Sequence, residues 1–182
     1  QQIWRMVSSG LAGVWAAQNT REAIFDAMLR KEVYATTGSR IRVRFFAGWN
    51  FDNATLQDSQ WTQKGYAQGV PMGGQLPATS DADLAPTLMI KAQKDPNAAH
   101  LDRIQVIKGW LDAEGKHQEK VYDVVASGNR IRDPSNELFE PVKDTTNLTT
   151  ATYSNAEGAA QLEGVWRDPD FELQQAAFYY VR

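Results

Sequence analysis

Three arginines on alternate positions, Arg40, Arg42 and Arg44, are the densest set of side chains in this chain that could do chemistry. They interleave with Ile41, Val43 and Phe45, so a strand here puts the guanidinium groups on one face and the apolar side chains on the other. Such a row reads first as the solvated face of a half-buried sheet. Its second reading is a seat for an anionic ligand, because a guanidinium fork matches the oxygens of a carboxylate or phosphate. The acidic groups offer less. Asp81 and Asp83 alternate in a Ser-Asp-Ala-Asp stretch but lack the central glycine and final glutamate of an EF-hand loop, so a solvated loop is expected. Asp168, Asp170 and Glu172 pose the same choice, and a loop is again expected. His100 and His117 stand in polar, turn-like surroundings without a ligand-spaced partner, so no residue of this chain is expected to bind a metal. Ser8-Ser9-Gly10 and Gly73-Gly74 match neither a nucleophile elbow nor a phosphate loop in context. Of the six tryptophans, Trp49, Trp61, Trp110 and Trp166 fall near expected strand ends or loops. Exposed, they could stack on sugar rings; packing in a core or an interface is the favoured reading. No catalytic constellation is visible.

The elements that must position these groups begin with a helix over about residues 20–33. Asn19 can cap it, Glu22 stands at the capping-box spacing, and Ile24, Phe25, Met28 and Leu29 recur as one apolar stripe, expected to pack in the core. Arg30 and Lys31 suit the negative end of the helix dipole. Gly38 permits the turn that leads into the arginine-bearing strand. Further strands are expected at Leu88–Ala92, Ile104–Ile107 and Lys120–Ala126, the last preceded by a Glu114-Gly115 hairpin turn, with a weaker one at Thr149–Tyr153. Pro71 to Gly74, Asp95-Pro96 and Asp133-Pro134 punctuate between them. The pattern is that of a mainly β protein, an antiparallel β-sandwich-like domain preceded by one helix.

Composition sets outer bounds. The 182 residues fit one domain, or one plus a fragment, and 42% hydrophobic residues suffice for a core. A net charge of -3 gives no basic footprint for nucleic acid, and no apolar run approaches the roughly 18 residues of a membrane span. The absence of cysteine excludes disulfides, thiolate metal sites and a cysteine nucleophile. Position 1 is Gln and the chain stops inside the strand-like run Ala176–Arg182, so a fragment of a longer protein is expected.

The run Gly10–Trp49 (GLAGVWAAQNTREAIFDAMLRKEVYATTGSRIRVRFFAGW), with GVPMGG at 69–74, LDRIQVIKGW at 101–110, EKVYDV at 119–124 and the closing DPDFELQQAAFYYVR, resembles the C-terminal part of bacterial proteins of domain-of-unknown-function family 3604. The helix followed by YATTG is also similar to the end of the polymerase-and-histidinol-phosphatase type of metal-dependent hydrolase. There a barrel-like catalytic domain precedes a smaller β-rich region. The resemblance implies that residues 1–39 close a missing α/β barrel-like hydrolase domain and that residues 40–182 form a truncated accessory sandwich. It implies a divalent metal and phosphoesterase-like chemistry in that missing domain, which would be the partner of this region, and a periplasmic or exported location, with the cytoplasm left open. No cofactor or metal ligand carries over to this chain. The family pattern of two glutamates before the helix is replaced by Ala17-Gln18, so no acidic role carries over either. Arg40, Arg42 and Trp49, nearest the expected junction, are the candidates for the rim of a substrate site. The alternatives are a stand-alone carbohydrate- or protein-binding module and a purely structural piece; a homo-oligomer is compatible with each.

Overall fold

A computed structural model describes residues 10–182, so Ser8 and Ser9 lie outside the described residues. The described residues begin with β1 (Leu11–Val14), α1 (Arg21–Leu29) and β2 (Val33–Thr36), the two strands pairing antiparallel around the helix. Thr20, not Asn19, caps α1 by accepting from the Ala23 amide. The helix ends at Leu29, four residues before the expected boundary. Lys31 takes a left-handed conformation (φ 62°), the Lys31 amide donates to Met28 O and the Glu32 amide to Ala27 O, which together close the helix in a Schellman turn. That turn delivers Glu32 into the interior.

The apolar stripe of α1 is not core. Ala27 is the helix residue fully buried, whereas Phe25, Met28 and Leu29 are 60%, 58% and 65% exposed. Packing selects the small alanine face, which lets the helix lie close to its neighbours, and leaves the large side chains outward.

A β-sandwich follows. β3 (Arg42–Gly48), α2 (Asn53–Gln57), α3 (Trp61–Gln68), β4 (Gly69–Pro71), β5 (Thr87–Gln93), β6 (Arg103–Leu111), β7 (His117–Ala126), the short pair β8 (Thr146–Asn147) and β9 (Thr152–Tyr153), β10 (Gln161–Arg167) and β11 (Ala177–Val181) complete the order. One antiparallel sheet runs β10-β5-β3-β4 and the other β11-β6-β7. Their facing sides share Leu88, Ile90, Ala92 and Leu162 from the first sheet and Ile104 and Val106 from the second. Strand β5 is apolar on both faces because it is covered on both. Its odd face joins Met89 to Phe46 and Val165 across the strands, and α2 and α3 close over this row with Leu56 and Trp61. A Cβ at Gly65 of α3 would stand 2.5 Å from the Phe46 ring, so glycine sets how closely that helix approaches. Gly164 plays the same part between the sheets, where a Cβ would stand 2.4 Å from Val125. The sheets are thus closest along β10 and β7. Along β3, β4 and β11 they diverge.

The strands expected at 88–92, 104–107 and 120–126 are β5, β6 and β7, and Gly115 (φ 76°) turns the hairpin between the last two. Thr149–Tyr153 contracts to the two residues of β9. The run Gln161–Arg167 and both sandwich helices were not expected from periodicity. Among the described residues no helix is long and apolar enough to cross a membrane.

Candidate functional site

The three rim candidates are divided between two clefts. Arg40 and Arg42 line a cleft of about 430 Å³ between the β1–β2 pair, the start of β3 and the Asp95–Asn97 turn. Trp49 lines a second cleft of about 530 Å³ at the divergent edge of the sandwich. Period two along β3 sends Val43, Phe45 and Ala47 to the core and Arg42, Arg44 and Phe46 to the other face.

Arg44 is half-buried and not simply solvated. Its guanidinium lies over the rings of Trp15 (4.6 Å), Phe46 (5.5 Å) and Tyr66 (5.6 Å) and donates to Tyr66 Oη at 2.9 Å. Tyr66 in turn donates to Glu32, which also accepts from Arg30 Nε at 2.9 Å. Burial, and then the Glu32 contact, push the Tyr66 hydroxyl above its ordinary pKa, against the pull of Arg44. Trp15 Nε1 donates to Val43 O at 2.9 Å. These contacts fix the β1–α1–β2 unit to the sandwich, so Arg44 is a structural group.

Arg40 and Arg42 differ from it. Among the described residues neither guanidinium has a hydrogen-bond or ion-pair partner, although the Arg40 backbone amide donates to Asp95 Oδ2 at 2.7 Å. Tyr34 and Thr36 share their cleft. They occupy alternate positions of β2, and applying period two to Tyr-Ala-Thr would have placed both on one face. Burial raises the Tyr34 hydroxyl and the nearby Arg42 charge opposes the rise.

The Trp49 cleft is of another kind. Trp49 meets Phe171 edge to face, with ring centroids 5.8 Å apart, and Phe45, Leu88 and Tyr179 form the wall behind them. None of the residues lining this cleft is charged; Gln75, Thr79 and Gln175 supply its polar groups.

Behind Tyr179 lies a buried charged centre built on Lys108 and Asp168. Lys108 points inward from β6, level with Tyr179 of β11 and Lys120 of β7. Its Nζ donates to Asp168 Oδ2 at 2.7 Å and to Asp170 O at 2.6 Å. Tyr179 Oη donates to the same Asp168 oxygen at 2.6 Å, and Tyr122 Oη to Asp170 Oδ2 at 2.6 Å. Residues 168–170 do form a loop in which Asp170 is exposed, as Glu172 is beyond it, but Asp168 is buried, so the solvated loop holds for two of the three acids and not for Asp168. The signal was present in Ile104, Val106, Lys108 and Trp110, an inward row broken by one charge. Asp81 and Asp83 do lie in an exposed turn, where Asp81 Oδ1 accepts from the Asp83 amide.

These shifts give a pH dependence with two limbs. Lys120 and Tyr122 hold the Asp170 carboxyl below its ordinary pKa, and Lys91 and Gln57 do the same for Glu163. Their contribution is complete above the ordinary carboxylate range near pH 4 and is lost as pH falls through the lowered folded-state values. Burial, and then donation to Asp170 and Asp168, push the Tyr122 and Tyr179 hydroxyls upward. Their contribution is complete below about pH 10 and is lost as pH rises beyond it. Urea unfolding from pH 2 to 11 is expected to show a plateau with both flanks falling; a stability independent of pH above 10 would contradict the buried tyrosine donors.

Among the described residues no group of three or more His, Asp or Glu side chains converges as a metal site would require. His100 is spent on loop contacts, its amide donating to Asn155 Oδ1 at 3.0 Å, and His117 opens β7 in solvent. No residue here is assigned to a metal.

Residues 1–182 match the family described as protein of unknown function (DUF3604). The chain belongs to that family. No curated protein and no solved structure gave a significant match.

Proposed function

We propose that this chain is the accessory region of a larger metal-dependent hydrolase of the phosphoesterase type, and that it is not catalytic by itself. The outward apolar face of α1 carries this reading. Phe25, Met28 and Leu29 form one contiguous row on a helix whose opposite side is already packed, and such a row is what an interdomain contact buries. The occupant is the hydrolase domain preceding this region in the same polypeptide, where the divalent metal would reside. An exported location accompanies the reading. Intact mass and metal analysis of the protein from its source test it together. A polypeptide several times the 20.4 kDa of this chain, carrying a divalent metal, would support it.

A mass near 20.4 kDa without metal would instead favour a stand-alone binding module. The observation behind that second reading is the uncharged, aromatic-walled cleft at Trp49, whose amides and hydroxyl suit a neutral glycan.

The docking reading separates folding from association at Leu29. Leu29→Asp is expected to destabilise the 182-residue chain by no more than about 1 kcal/mol, the cost of an acidic residue in the last helical turn at an exposed site, while disrupting association with the hydrolase domain. Loss of several kcal/mol in the isolated chain would place Leu29 in the core and remove the proposed interface.

A further inference from the structure

We infer that the cleft between the β1–β2 pair and the start of β3 binds a small organic oxyanion, with the anionic group held between Arg40 and Arg42. Two independent observations point there. The first is charge: two guanidinium groups line one cleft and, among the described residues, have no acceptor. Among the described lining residues Asp95 is the single carboxylate, and both its oxygens are occupied by backbone amides. Its Oδ2 accepts from the Arg40 amide at 2.7 Å and its Oδ1 from the Asn97 amide at 2.9 Å. Two arginines against one carboxylate leave the described lining net positive.

The second is an orphaned hydroxyl. Among the described residues two buried side-chain oxygens lack a hydrogen bond, Asp102 Oδ1 and Thr36 Oγ1. Asp102 sits against the Arg130 guanidinium, which compensates its charge. Thr36 Oγ1 has no partner or compensating charge recorded among the described residues, and Thr36 lines the same cleft as the two arginines. A buried hydroxyl without a partner costs about 1–3 kcal/mol, a cost that a bound acceptor removes. A guanidinium fork, a threonine hydroxyl and the Tyr34 hydroxyl make up a donor set for an oxyanion. The volume of about 430 Å³ exceeds that of the anionic group alone, and Leu11 and Ile41 give the rest of the molecule apolar contact. The inference concerns the folded chain itself and does not depend on the docking of α1.

Inorganic phosphate and acetate serve as separate probes, titrated into the 182-residue chain at low salt while amide shifts are followed by NMR. Saturable shifts at Thr36 and Arg42 are expected with at least one probe, and the tighter probe distinguishes a phosphoryl from a carboxylate ligand. Arg42→Ala is expected to weaken that binding about tenfold or more, Arg42→Lys less, and Thr36→Val several-fold. Thermal midpoints of the arginine variants should match the parent, since both side chains are exposed. Linear, unsaturable shifts with both probes would overturn the site. So would binding that survives Arg40→Ala and Arg42→Ala together, or a Thr36→Val variant that gains stability with unchanged anion binding.

Discussion

Replacing Lys108 by alanine is expected to destabilise the chain by about 3–5 kcal/mol, because it leaves the Asp168 carboxylate buried without its cation. The side chains of the pair are 2% and 0% exposed, and water cannot take over the lost contact. Lys108 also bridges to Asp170 O, so its removal frees the loop that carries Tyr122's acceptor. For a domain of this size the loss corresponds to roughly 6–20 °C in melting temperature. The control is the double replacement Lys108→Met with Asp168→Leu. Removing both charges is expected to restore part of the stability, since a buried pair gains little over apolar residues of similar volume, while the Tyr179 hydroxyl and the Asp170 amide lose their acceptor. Urea midpoints of the single and double variants decide the matter. A single variant within 1 kcal/mol of the parent would show that Asp168 finds water or another cation.

Phe46→Ala is expected to cost a similar amount, about 3–5 kcal/mol, through a different cause. The ring is fully buried and meets Trp61 and Tyr66 edge to face, with centroids 5.6 and 5.0 Å away. Gly65 leaves no side chain to fall into the space left behind. The cavity would therefore persist under α3 and the aromatic signature of Trp61 in near-ultraviolet circular dichroism should weaken. The inner core of Leu88, Ile90 and Val106 lies on the other side of the sheet, so unfolding should stay cooperative. A loss below 1 kcal/mol would mean that α3 collapses onto the sheet.

Local pattern made most of the sandwich legible, and the misses share a physical cause. Period two located β3, β5, β6 and β7 because each has at least one apolar face. Strand β10 escaped because Gly164 stands where an inward apolar residue would be, a position set by the approach of Val125 from the other sheet. The stripe of α1 is apolar but not core, since periodicity reports the chemistry of a face and not what, if anything, packs on it. Arg44 and Asp168 failed the same way: their types suggest solvent, and only tertiary neighbours reveal an aromatic cage and a buried lysine. Arg40 and Arg42 were found by spacing. Their companions Tyr34 and Thr36 come from a strand on the far side of a turn, and only the fold brings them together.

The covering of α1 by another domain is tested most directly by amide hydrogen exchange across Arg21–Leu29, compared between the isolated 182-residue chain and the protein purified from its source. Exchange slowed by about tenfold or more in the source protein, with β6 and β7 unchanged, is the expected result. Equal exchange of α1 in the two samples would contradict the docking and, with it, the accessory role.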